Sequence, residues 1–160
     1  MVTNSAVKKW VSDMANLCQP DRVVYCDGSE EERERLTAEA LSTGEVTLLN
    51  QEVLPGCLYH RTAVNDVART EHLTFICTEK AEDAGPNNNW MSSEEAYAKL
   101  GELFRGSMIG RTMYVIPFLM GVAGSPFNKM GIEITDSIYV VLNMRIMTRM
   151  GQVAWDELGN

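Results

Sequence analysis

The sequence predicts an α/β domain, a mixed β-sheet flanked by helices, and three observations carry that expectation. Helical periodicity behind capping residues recurs through the first hundred residues, the texture beyond Gly110 turns to β, and charge is nearly absent from that second part. Residues 1–106 hold 18 acids and 10 bases, whereas residues 107–150 hold two acids, Glu133 and Asp136, and four bases. The second stretch is therefore the expected core. It also carries seven of the ten methionines, whose flexible thioethers fill irregular gaps between packed elements.

The elements follow in order. Ser5 is placed to cap a helix whose Val7, Trp10, Val11, Met14 and Leu17 recur at helical spacing and which ends before Pro20. Val23–Cys26 reads as a short strand, and Asp27-Gly28 turns the chain into Ser29-x-x-Glu32, a capping box for a second helix reaching about Leu41 and ended by Gly44. Glu30, Glu31 and Glu32 complement the positive end of that helix. Val46–Leu49 and Thr74–Cys77 are expected strands, with Pro55-Gly56 a turn and Glu82–Asn89 a loop. Ser92-x-x-Glu95 opens a third helix to about Phe104. Thr112–Phe118, Met130–Thr135 and Ser137–Met147 then read as strands, the first two joined by a Gly/Pro-rich turn at Gly121–Pro126.

Composition excludes several functions. A formal charge of -8 and a longest basic run of Lys8-Lys9 offer no stripe for phosphates, so neither nucleic acid nor an anionic membrane is an expected partner. The most apolar run, Thr112–Gly124, is cut by Pro117 and Gly121, which predicts no membrane span, and Met1–Ala6 shows no secretory pattern. Cys18, Cys26, Cys57 and Cys77 form no CxxC pair, and His60 and His72 do not cluster with them. Buried or half-buried free thiols in a cytoplasmic protein are the expectation, with no metal or cofactor site on this chain. A single domain over residues 1–160 fits the length, which suffices to bury one core without a disulfide.

Motifs of self-contained catalysis are missing. No G-x-x-x-x-G-K-[ST] occurs, Gly121-x-x-Gly124 lacks the context of a dinucleotide fingerprint, and no His, Ser and Asp cluster suggests a nucleophile. Arginines stand out instead: Arg69 in Asp66-Val-Ala-Arg69-Thr-Glu71, and Arg145 and Arg149 in Asn143–Gly151. A guanidinium grips carboxylate or phosphate with two parallel hydrogen bonds, while pattern alone favours structural ion pairs with Asp66, Glu133 or Asp136.

Several long motifs, in order, resemble one family. They are Leu17–Arg22 with Cys26–Glu32, Asp66–Arg69, Thr74–Cys77, Glu82–Pro86 with Asn88-Asn-Trp90, Gly110–Phe118 and Asn143–Gly151. In these the sequence resembles the amino-terminal domain of GTP-dependent phosphoenolpyruvate carboxykinases, over about Asn4–Gly159. Leu119, Val122, Ala123 and Ile138 depart from the family pattern in two turns, and His60 replaces a usual small residue.

The resemblance implies an amino-terminal piece of a longer enzyme that converts oxaloacetate and GTP into phosphoenolpyruvate, CO2 and GDP in gluconeogenesis. It implies Mn2+, and Mg2+ with GTP, held by a catalytic domain outside this chain, against which this domain packs in a monomer. Arg69 matches the arginine that holds substrate carboxylate. Glu71, two positions on and on the same face if the chain is extended, matches an acid that assists closure of the active-site lid. The isolated piece is expected to be inactive. The competing expectation is a non-catalytic α/β binding or assembly domain that keeps only the fold.

Overall fold

In the computed structural model, residues 4–64 and 70–159 are described. The helices are α1 (Ser5–Cys18), α2 (Glu30–Thr43), α3 (Ser93–Phe104), α4 (Ile138–Met147) and α5 (Gln152–Leu158). The strands are β1 (Arg22–Tyr25), β2 (Thr47–Leu48), β3 (Leu58–Tyr59), β4 (Phe75–Ile76), β5 (Asn89–Trp90), β6 (Thr112–Met120), β7 (Lys129–Thr135) and β8 (Arg149–Met150).

Strand β6 is the axis. β7 runs antiparallel along one of its edges, and along the other lie β1, parallel at Thr112–Val115, and β8, antiparallel at Phe118 and Leu119. Proline is normally excluded from a central strand because it cannot donate to the ladder. Here Pro117 falls in the gap between β1 and β8, and its carbonyl accepts from Gly151 N at 3.1 Å. A strand residue's N–H and C=O point to the same side, so the missing donor faces that gap.

Side chains of β6 alternate between two cores, as a period of two requires. Met113 and Val115 pack with Val11, Cys18, Met108 and Trp155. Tyr114 and Ile116 pack with Cys26, Leu36, Ala40, Ile138, Val141 and Met144. One layer is therefore α1 and α5, the other α2 and α4, with the mixed sheet between them. The α/β expectation holds. Of the seven methionines in the low-charge stretch, Met108, Met113, Met144 and Met150 are buried, whereas Met120, Met130 and Met147 are exposed.

One element departs in kind. Ser137–Met147 reads as a strand in sequence because Ile138, Tyr139, Val140 and Val141 favour β structure, yet Ile138–Met147 is helix α4. Packing overrides propensity: Ile138, Val141 and Met144, three apart, bury one face against the α2 core. Its start is capped twice. Ser137 Oγ accepts from Val140 N, and the Glu45 carboxylate accepts from Tyr139 N at 2.9 Å and from Ser137 Oγ at 2.7 Å. Other differences are small: Asn4 rather than Ser5 caps α1, a 3-10 turn at Ala81–Ala84 starts the expected loop, and α5 was not anticipated. The serine half of both expected capping boxes forms, with Ser29 accepting from Glu32 N and Ser92 from Glu95 N, while Glu32 turns its carboxylate to Gly28 N and Asp27 N and Ser29 N donates to Asp27 instead.

The two cores meet at a backbone crossing just beyond β1 and β8. Gly28 has φ +73° and Gly151 φ +88°, and a Cβ on Gly151 would sit 2.1 Å from the Asp27 carbonyl oxygen. Gln152 N donates to that oxygen at 2.8 Å, and buried Trp155 Nε1 donates to Cys26 O at 2.9 Å. Arg145, nearly buried, donates to the carbonyls of Gly28 and Ser29 at 2.6 and 2.9 Å and pairs with Glu30. Among the described residues no helix is long and apolar enough to cross a membrane.

Candidate functional site

The loops between α2 and α3 carry the residues that the motifs single out. Arg69, with Asp66, lies outside the described residues. Glu71 opens a 3-10 turn, Glu71–Leu73, that leads through Thr74 into β4. Glu71 itself therefore sits in a turn rather than in extended chain. The turn is closed by Leu73 N donating to Thr70 O at 2.8 Å, Thr74 N to Glu71 O at 3.3 Å, and Thr74 Oγ1 to Thr70 O at 2.9 Å.

A second strand fixes this turn from the side. β5 runs parallel to β4, with Phe75 opposite Asn89 and Ile76 opposite Trp90. Asn89 Nδ2 donates to the carbonyls of Glu71 at 2.8 Å and Thr74 at 3.1 Å. Asn88 Nδ2 donates to Ala84 O at 2.6 Å, and Trp90 Nε1 to Thr78 O at 3.1 Å. Thr70, Glu71, Thr74 and Asn87–Asn89 line an open cleft of about 300 Å³. Its lining is polar, with one carboxylate and three amides, so it suits hydrogen bonding to a polar surface rather than burial of an apolar ligand.

Sequence reasoning treated Asn87–Asn89 as loop residues and missed the clamp. The signal was the run of three consecutive asparagines, residues whose amides can donate two hydrogen bonds to backbone carbonyls, as Asn89 does to Glu71 and Thr74.

The other candidates resolve into structural roles. Arg145 anchors α4 to the β1–α2 loop, Arg149 donates to Gly121 O at 2.8 Å, and Arg111, rather than Arg145 or Arg149, pairs with Asp136. All four thiols are free, but only Cys18 and Cys26 are buried as expected; Cys57 and Cys77 are exposed, because they lie in the loop region between α2 and α3, away from the sheet core. Burial, reinforced by Glu32 and Asp27, pushes the Cys26 thiol far up, which keeps it protonated and inert. His60 stacks on Tyr139 with ring centres 3.9 Å apart and holds its Nδ1 2.6 Å from the Glu45 carbonyl. Among the described residues no three His, Cys, Asp or Glu side chains converge as a metal site.

The geometry thus describes a class: an α/β domain whose mixed sheet is packed on both faces and whose loops display a polar cleft. The family described as Phosphoenolpyruvate carboxykinase N-terminal domain matches residues 9–160, and the chain belongs to that family. Over 158 residues it is 59% identical to a Phosphoenolpyruvate carboxykinase [GTP] of Anaeromyxobacter sp. (strain K). Proteins of the same name from Chlamydia muridarum (strain MoPn / Nigg) and Corynebacterium kroppenstedtii are each 49% identical to it. Each match covers 99% of this chain but only 26%, 26% and 25% of the relative. The chain spans about a quarter of the length of the curated relatives it matches.

Proposed function

We propose that this chain is the amino-terminal, substrate-contributing domain of a cytoplasmic GTP-dependent phosphoenolpyruvate carboxykinase. The observation that carries the reading is the 59% identity along 99% of the chain to a protein of that name. In the reaction, the bond between oxaloacetate and its departing carboxylate breaks. CO2 leaves, and the electron pair passes into an enolate. The enolate oxygen then takes the γ-phosphoryl group of GTP, giving phosphoenolpyruvate and GDP. Nucleotide and metal are assigned to the remainder of the longer protein, a monomer in which this domain packs against the catalytic one.

This chain's contribution is orientation. Arg69 grips a substrate carboxylate through its two-pronged fork, which holds the reacting carbon in place while charge develops. Glu71 supports closure over the substrate, which excludes water from the enolate.

The test is Arg69→Lys and Arg69→Ala in the full-length protein, assayed for GTP-dependent turnover of oxaloacetate. Lysine keeps the charge and loses the fork, so kcat/KM falls roughly 10- to 150-fold for a charged hydrogen bond of about 1.5–3 kcal/mol. Alanine costs more. Wild-type kcat/KM in Arg69→Ala ends the assignment of Arg69 to substrate binding, whereas a full-length protein without turnover favours the non-catalytic binding or assembly domain.

A further inference from the structure

We propose that Asn89 is a positioning residue for Glu71, acting through the backbone of the turn that carries it. The inference rests on the reading of Glu71 as a group that supports closure. A 3-10 turn is held by hydrogen bonds of poorer geometry than an α-helix and seldom persists without help. The turn at Glu71–Leu73 has no buried residue, so packing does not hold it. Asn89 spends both hydrogens of one amide on it, one at each end of the turn: 2.8 Å to Glu71 O and 3.1 Å to Thr74 O.

Asn89 can act as a clamp because it is itself held. It sits in the β4–β5 register opposite Phe75; its neighbour Trp90 is tied to Thr78 O, and Met91 N donates to Ile76 O at 3.3 Å. On its other side, Asn88 is tied to the carbonyl of buried Ala84. The clamp thus transmits the position of a fixed strand to the backbone of Glu71. Loss of the amide frees the turn while leaving every side chain of the reaction present. A misplacement of about 1 Å in a group that orders an active site costs on the order of a hundredfold in rate.

The experiment uses the full-length protein with oxaloacetate and GTP, and four variants: Asn89→Ala, Asn89→Gln, Glu71→Gln and the double Asn89→Ala/Glu71→Gln. Asn89→Ala is expected to lower kcat/KM for oxaloacetate by about tenfold to a hundredfold with little change in Tm. Asn89→Gln, which keeps the amide donors, recovers most of the loss. The double variant is no worse than Glu71→Gln, because Asn89 works only through that residue. Should Asn89→Ala not fold, Asn89→Asp, of the same shape but without donors, takes its place with the same expectation. Wild-type kinetics in Asn89→Ala beside an impaired Glu71→Gln overturn the proposal alone, as do losses that add in the double variant. Wild-type kinetics in Glu71→Gln overturn the reading of Glu71, and the clamp's role with it.

Discussion

Six of the nine residues of β6 are buried, whereas among the described residues from Thr47 to Trp90 only Ala84 is. The two regions use the same chemistry to different effect. In the core region, Glu32 reaches back from α2 to accept from Gly28 N at 2.9 Å and Asp27 N at 3.3 Å, and its side chain is buried. In the loop region, Gln51 donates to Leu49 O and Cys57 O and accepts from Gly56 N, closing the β2–β3 hairpin while exposed. A polar staple stabilises the whole molecule where water cannot replace it, and only its own loop where water can. The candidate site lies in the second kind of region.

The sharpest way to break the contrast is at the crossing in the core. Gly151→Ala would place a Cβ against the backbone of Asp27 and force a left-handed conformation on alanine, and neither neighbour is a flexible side chain that can give way. The loss is expected to exceed about 4 kcal/mol, read as failure to accumulate folded protein or as collapse of the urea midpoint. Gly56 offers the control: it too has positive φ, +76°, but nothing lies within 4 Å of the added Cβ, so Gly56→Ala costs far less.

Next in size is the buried staple. Glu32→Ala leaves two backbone N–H groups without their acceptor, and the expected loss is about 1–3 kcal/mol in chemical denaturation. Gln51→Ala removes three hydrogen bonds rather than two, yet the expected global loss is under about 0.5 kcal/mol, since water takes over the freed groups. Hydrogen exchange separates the two cases: Gln51→Ala speeds exchange in the hairpin alone, whereas Glu32→Ala speeds it in β6 and α2 together.

The same contrast explains what could be read in advance. Helices α1, α2 and α3 are legible because their signals are local: a capping side chain at Ser29 or Ser92, and apolar spacing from Val7 to Leu17. Strand β6 is legible as a continuous apolar run. Helix α4 is not, because what selects helix over strand there is the α2 core and the carboxylate of Glu45, 92 positions from Ser137. The site shows the opposite difficulty. Glu71 is found only through a family motif, and the clamp on it joins residues 18 apart whose pairing depends on the β4–β5 register, which no periodicity in two-residue strands encodes.

The smallest effect expected lies at the edge of the core, on Asp27. Hydrogen bonding from the Ser29 side chain, and then from Ser29 N to Oδ1 at 2.7 Å, holds the carboxyl below its ordinary value of 3.8. A carboxyl with a depressed folded value stabilises the fold in its ionised form. The contribution is therefore complete above about pH 4, where the unfolded chain is also ionised, and is lost as pH falls through the lower folded value. Because the group is largely open to solvent, the contribution is a few tenths of a kcal/mol. Asp27→Asn should thus be slightly less stable than the parent at pH 7, with the gap closing below pH 4, in urea titrations compared at the two pH values. The competing account is that the side chain acts only as a neutral turn acceptor before α2, for which asparagine serves equally well. That account predicts no gap at either pH, and finding none would remove ionised Asp27 from what fixes the crossing, leaving Glu32 and Arg145 as the charged groups that hold it.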